Sequence, residues 1–256
     1  MRTLGFVGAG TIASAFIAGL RAAGKQNPVV VSPRSESTSM RLAADVPGVR
    51  RAASNAEVVA GSDIVFLAMR PAQVEEALDG IGVRGDRTVC SFVTGLPLRE
   101  LTSMFPASTV CRVLPLPAIA FGKGPVILFP RVEQVFGLLQ GMGSIVLPRD
   151  EGELVTMGGV SGAMSTFFEI EATLSRWLVA RGVEGAAADL YVRAIFSGLA
   201  ETALRSPADL AALALEHQTK GGLNQRTRDA LLEAGWFGRM VEAIEGVGRL
   251  GRQGLE

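Results

Sequence analysis

The residues best placed to do chemistry stand at the beginning of the chain. A short apolar run, Leu4 to Val7, leads directly into Gly8-x-Gly10-x-x-Ala13, and Ile12, Phe16, Ile17 and Leu20 then repeat at helical spacing. This strand, glycine turn and helix form the dinucleotide fingerprint in its Gly-x-Gly-x-x-Ala form. Gly8 permits a tight turn. Gly10 lacks a Cβ, so backbone can approach a pyrophosphate. Ala13 lets the helix lie close on the strand. Thr11 and Ile12 open that helix, whose free N–H groups and positive dipole end favour phosphate. The competing reading is a merely tight structural turn. A second candidate cluster, Ser32-Pro33-Arg34-Ser35, follows the apolar run Pro28 to Val31. Sheets that bind NAD often end this strand in an acidic residue that holds the ribose 2′-hydroxyl. Hydroxyls and a guanidinium here suit a 2′-phosphate instead, which favours NADP(H) over NAD(H). The bland alternative makes Arg34 a solvated loop charge.

These residues need a sheet to hold them. The sequence predicts short helices over Ser39 to Ala44 and Asn55 to Ala60, the latter capped by Asn55, and a short strand over Val49 to Ala53. Asp63 to Met69 reads as a buried parallel strand ending in Arg70-Pro71, with Pro71 opening a helix over Ala72 to Leu78. Strands are expected over Thr88 to Val93, Val110 to Val113, Pro125 to Phe129 and Ser144 to Leu147, and helices over Leu98 to Met104 and Val132 to Met142. Leu114 to Gly124 reads as a loop. The alternation implies an α/β fold with an N-terminal Rossmann-type doubly wound parallel sheet over 1–150. Pro148 to Gly152 marks a boundary. Residues 151–256 contain no convincing strand and read as an all-helical dimerisation and substrate domain. Its helices are expected over Leu154 to Ala180, Ala186 to Leu204, Ser206 to about Gln218, with Ser206 as cap, and Asn224 to Leu250. They are apolar on more than one face, which points to a homodimer or higher homo-oligomer.

Composition excludes several classes. In 256 residues, 25 basic and 25 acidic side chains cancel, so no charge stripe argues for nucleic acid or a membrane surface. A single histidine, His217, leaves no cluster for a metal. Cys90 and Cys111 lie in apolar runs and fit buried thiols in a reducing compartment. No apolar run reaches membrane-spanning length, and glycines interrupt the first one too early for a signal peptide. These features together predict a cytoplasmic protein.

Several short motifs, in order and nearly end to end, resemble the pyrroline-5-carboxylate reductase family of proline biosynthesis. They are Gly5 to Ala15; Asn55 with Glu57; Asp63 to Arg70-Pro71, including Ala68 and Met69; Cys111 to Pro115; Val160-Ser161-Gly162-Ala163; and Thr219-Lys220-Gly221-Gly222-Leu223-Asn224. The resemblance implies hydride reduction of the carbon–nitrogen double bond of a cyclic imino acid. It implies a site between the sheet domain of one chain and the helices of its dimer partner. It adds Asn55, Ala68, Met69, Arg70 and Pro71 to the cofactor residues. It gives the N–H groups of Gly221, Gly222 and Leu223 to the substrate carboxylate, a role that suits a glycine pair before a helix. Asn224 stands where the family has a threonine thought to contact the imine nitrogen, and Ser161 lies near the expected cleft.

The chain departs from the family in its substrate half. Leu116-Pro117-Ala118 replaces asparagine-threonine-proline, Gly162-Ala163-Met164-Ser165 replaces glycine-serine-glycine-proline, and Lys220 and Leu223 replace a proline and a threonine. A changed substrate is expected. Two other functions compete: a carbonyl or hydroxy-acid reductase with Lys220 as proton donor, and a non-catalytic NADP-binding regulator. The blander readings make Lys220 and Lys123 solvated charges, His217 a helix-end cation, Tyr191 packing, Ser161 a cap, and Met157, Met164 and Met240 core.

Overall fold

The structure is a computed structural model that describes residues 1–82, 85 and 87–253, excepting the side chains of 247–253. It divides into two compact units, Met1–Thr156 and Met157–Glu256.

The first unit begins with β1 (Leu4–Val7), α1 (Thr11–Ala22), β2 (Val29–Val31), α2 (Glu36–Asp45), β3 (Val49–Arg51) and α3 (Asn55–Ala60). Then come β4 (Ile64–Leu67), a 3-10 turn at Pro71–Gln73, α4 (Val74–Leu78), β5 (Thr88–Ser91), α5 (Leu98–Met104) and β6 (Thr109–Pro115). A 3-10 segment at Pro117–Phe121, β7 (Pro125–Phe129), α6 (Glu133–Leu139) and β8 (Ser144–Val146) complete the sheet, and α7 (Glu151–Val160) follows. The strand order is β3-β2-β1-β4-β5-β6-β7-β8. All neighbours are parallel except β6 and β7. The expectation of a parallel sheet is therefore corrected at that pair. The link from Pro115 to Pro125 is too short for the crossover that parallel neighbours need.

The central strands β1, β2, β4 and β5 are buried on both faces, as their continuous apolar runs require. One face packs Phe6, Phe16, Phe66 and Phe92 into an aromatic cluster, with Phe6 stacked on Phe66 at 4.8 Å. Val7, Val30, Val65, Leu67 and Val89 line the other face, against Val58, Leu78 and Leu101. Cys90 and Cys111 are free, buried thiols on adjacent strands, 3.4 Å apart. Burial pushes the Cys90 thiol up from its ordinary value. The buried Arg112 of β6 pairs with Glu151 at 2.7 Å, and the same carboxylate oxygen accepts from the Leu98 N–H that opens α5.

Two helix caps differ from expectation. Ser54, not Asn55, caps α3, because its hydroxyl accepts from the Glu57 N–H, while the Glu57 carboxylate accepts from the Ala53 N–H. The Ala53 N–H first, and the Arg50 guanidinium that pairs with Glu57 second, hold the Glu57 carboxyl below the ordinary range.

The second unit carries a 3-10 turn at Ser161–Ala163, α8 (Met164–Val179), α9 (Gly185–Arg205), α10 (Leu210–Glu216), α11 (Leu223–Glu233) and α12 (Trp236–Gln253). The long helix expected from Leu154 is broken at Ser161–Ala163, after Gly158-Gly159. The expected last helix is two, separated at Gly235, which has φ +66°. Asp209 rather than Ser206 caps α10, accepting from the Ala212 N–H. Met157 and Met164, expected in a core, are exposed. Among the described side chains of 157–246, only Ser175, Ala188, Val192 and Leu213 are buried.

Candidate functional site

The strand order reverses direction at β1, whose neighbours are β2 and β4. Outside the carboxyl ends of such strands lies the crevice where open α/β sheets bind ligands. A cavity of about 630 Å³ occupies it. Its walls are the turn after β1 (Gly8, Gly10, Thr11, Ile12), the loop after β2 (Ser32, Arg34, Ser35), the segment after β4 (Ala68, Met69, Arg70) and Asn55 of α3. Two residues expected to bind cofactor do not line it. Ala13 is buried beneath, and Pro71 lies one residue beyond Arg70.

Each wall has a local cause. Gly8 has φ +100°, and a Cβ there would stand 2.3 Å from the Ala68 carbonyl oxygen. Only glycine lets the turn after β1 lie against the end of β4. The Gly8 N–H donates to the Ser32 hydroxyl at 2.9 Å, which ties the turns after β1 and β2 together. Ser32 is fully buried, so it shapes the corner from beneath. Gly10 is different: a Cβ there would meet nothing within 4 Å. It is the N-cap of α1 and supplies no capping side chain, so the first-turn N–H groups of this twelve-residue helix open without one. Backbone donors, a positive dipole end and open space beside Gly10 fit a pyrophosphate.

The corner after β2 fits a second anion. Ser35 has φ +64°, the one described non-glycine residue in the left-handed region, and it is the N-cap of α2 without a side-chain cap bond. Such strain collects at sites where the backbone must present its groups in one direction. Arg34 is exposed beside it. Arg51 braces the loop: its Nε donates to the Ser39 hydroxyl at 3.0 Å and its Nη2 to the Pro33 carbonyl at 3.4 Å. The Asn55 Nδ2 donates to the Ala77 carbonyl at 2.9 Å and so fixes α3 against α4 beside the cavity.

Sequence reasoning missed Arg51, Gln73, Ala77 and Phe92, of which the last three line the cavity. Arg51 and Phe92 had a signal. Arg51 pairs in register with Val31, one residue before Ser32, and Phe92 directly follows β5 as Ala68 follows β4. Gln73 and Ala77 had none, because their placement depends on how α4 packs.

The second unit contains the other candidate residues. Gly221 has φ +72° and its N–H donates to the Gln225 side-chain oxygen at 2.7 Å. The Gly222 N–H donates to the Thr219 carbonyl at 2.8 Å. Both donors are thus engaged inside the loop. The N–H groups of Leu223, Asn224 and Gln225 open α11, where no carbonyl one turn back within the helix can receive them. The Asn224 Nδ2 donates to the His217 carbonyl at 2.7 Å and staples the loop's two ends. Leu223, Asn224 and Lys220 are exposed. Ser161 donates to the Gly158 carbonyl at 2.6 Å across the helix break. Among the described residues no cluster of His, Cys, Asp or Glu could hold a metal, and no helix is long and apolar enough to cross a membrane.

The fold and this crevice define a class, the NAD(P)-dependent oxidoreductases built on a Rossmann-type sheet. Comparison with known proteins supports it. Residues 3–95 match the family model described as NADP oxidoreductase coenzyme F420-dependent. The chain is 24% identical to pyrroline-5-carboxylate reductase 2 of Bacillus subtilis, over 96% of this chain and 92% of that protein. It is 28% identical to the Corynebacterium melassecola pyrroline-5-carboxylate reductase, over 78% and 79% of the two chains. It is 33% identical to Danio rerio pyrroline-5-carboxylate reductase 3 over 117 residues, 44% of this chain but 40% of that protein. Its fold matches the Streptococcus pyogenes 1-pyrroline-5-carboxylate reductase with a TM-score of 0.84 at 18% identity, covering 98% of each chain. The Plasmodium falciparum pyrroline carboxylate reductase, solved with NADP bound, gives 0.83 at 18%, covering 98% of this chain and 97% of that one. Over nearly its whole length the chain is similar to pyrroline-5-carboxylate reductases, in sequence and in fold.

Proposed function

We propose that the protein is an NADPH-dependent reductase of the carbon–nitrogen double bond of a small cyclic imino acid. The carrying observation is the crevice whose one end is the open, uncapped helix start at Gly10 and whose other end is the Arg34–Ser35 corner. The first suits a pyrophosphate and the second a 2′-phosphate. Gly8, Gly10, Thr11, Ile12, Arg34, Ser35 and Asn55 would hold the dinucleotide, with Ala68, Met69 and Arg70 as the facing wall. When bound, a dihydronicotinamide supplies a hydride, and the chain's task is then to bind and orient.

In this reading the loop before α11 holds the substrate. Gly221 and Gly222 shape the turn, and the helix-opening N–H groups of Leu223 and Asn224 receive the carboxylate. The side-chain oxygen of Asn224 accepts from the protonated imine nitrogen, which favours the iminium over the neutral imine. Leu116 and Pro117, standing in place of polar residues, favour a substrate with more apolar surface than the family's usual one. The exposed Lys220, one residue before the glycine pair, keeps a carbonyl reductase as the second reading. We also propose that the protein acts as a homodimer or larger homo-oligomer.

The test is dinucleotide oxidation with a panel of five- and six-membered cyclic imino acids. Turnover with NADPH is expected, falling about a hundredfold in Asn224→Ala. Turnover of keto acids instead, lost in Lys220→Ala, would establish the second reading. Binding of NADPH with turnover of neither class would mean that catalysis has been lost. A preference for NADH would remove the argument from Arg34 and Ser35.

A further inference from the structure

The 2′-phosphate corner contains one more charged group. The Arg34 Nη1 lies 3.2 Å from Oε2 of Glu76. Glu76 sits on α4 between Gln73 and Ala77, both of which line the cavity. The two side chains are 50% and 73% exposed, so their pairing does little for stability. The other guanidinium of the corner is committed elsewhere. Arg51 holds Ser39 and Pro33, and its Nη2 lies 3.7 Å from Glu36. Of these two, Arg34 is the guanidinium that a phosphate in this corner would use, and a carboxylate already pairs with it.

We propose that Glu76 is a cofactor-selectivity residue. Its carboxylate competes with the 2′-phosphate for Arg34 and repels that phosphate once bound, so it holds the preference for NADPH below what Arg34 alone would give. The same carboxylate leaves the corner able to take a ribose 2′-hydroxyl, the group that an acidic residue receives in sheets that bind NAD. The inference rests on reading this cavity as a dinucleotide site. It differs from that reading because Glu76 opposes one ligand rather than binding it.

The experiment compares dissociation constants of NADPH, NADH, 2′,5′-ADP and 5′-ADP for the unaltered protein, Glu76→Gln, Arg34→Ala and the double variant, at low ionic strength. Glu76→Gln is expected to tighten NADPH and 2′,5′-ADP by about three- to tenfold and to leave NADH and 5′-ADP within about twofold. The gain should shrink in added salt and vanish in the Arg34→Ala background. Unchanged NADPH affinity in Glu76→Gln, or an equal gain for NADH, overturns the role of Glu76 while leaving the dinucleotide reading intact. Failure of the unaltered protein to bind either dinucleotide overturns that reading, and this inference with it.

Discussion

At the scale of residues, the two fingerprint glycines do different work, and mutation should separate them. Gly10 has extended backbone (φ −80°, ψ −168°) and open space around a Cβ. Gly10→Ala should change folding stability by no more than about 0.5 kcal/mol and weaken NADPH binding at least about tenfold, because the methyl occupies the space meant for the pyrophosphate. Gly8 combines φ +100° with an approach to the Ala68 carbonyl that a Cβ cannot share. Gly8→Ala should cost about 2 kcal/mol or more. Urea denaturation and fluorescence titration on the two variants check both statements. Equal destabilisation by the two would refute the distinction. The spacing of Gly8, Gly10 and Ala13 was legible in the sequence because each contact is made within a few residues. The partner of Arg34 was not, since Glu76 lies 42 residues away and meets it only through the packing of α4.

At the scale of elements, the joint of β6, α5 and α7 depends on a single carboxylate. Arg112 is 4% exposed, and its Nη1 and the Leu98 N–H both donate to the Glu151 Oε1. Glu151→Ala leaves a buried guanidinium without its counter-charge and should cost about 3 kcal/mol. An Arg112→Met/Glu151→Met double variant should lose less, because it removes both charges. Thermal melts compare the two, and a double variant no better than the single one would contradict the account. Most elements were legible because apolar runs and glycine turns are local signals. The helix breaks were only half so. Gly158-Gly159 and Gly235 mark them, but a glycine inside a helical pattern does not say whether the chain bends or continues. The antiparallel β7 could have been read from connection length alone.

At the scale of the molecule, the described residues of the second unit bury few side chains. Four described side chains are buried in residues 157–246, whereas Phe168, Leu190, Leu204 and Leu210 are more than 60% exposed. The proposed homo-oligomer would bury those side chains against a second copy of the same chain. Light scattering at micromolar concentration should therefore give at least twice the 26.8 kDa chain mass. Leu190→Asp should shift the particle toward monomer and lower its melting temperature. A monomer that unfolds in one cooperative transition would overturn this.

The sequence by itself determined the alternation of strand and helix, the fingerprint turn, the glycine loop before α11 and the excess of apolar helix surface. All of these are written in short-range spacing. Tertiary structure decided which loops meet at the crevice, that Ser32 serves beneath it while Arg34 stands at its edge, and that Glu76 faces Arg34. The reason is common to all three. Which donor or charge is left open depends on what the surrounding elements have already engaged, and that accounting closes only once strand order and helix packing bring distant residues together.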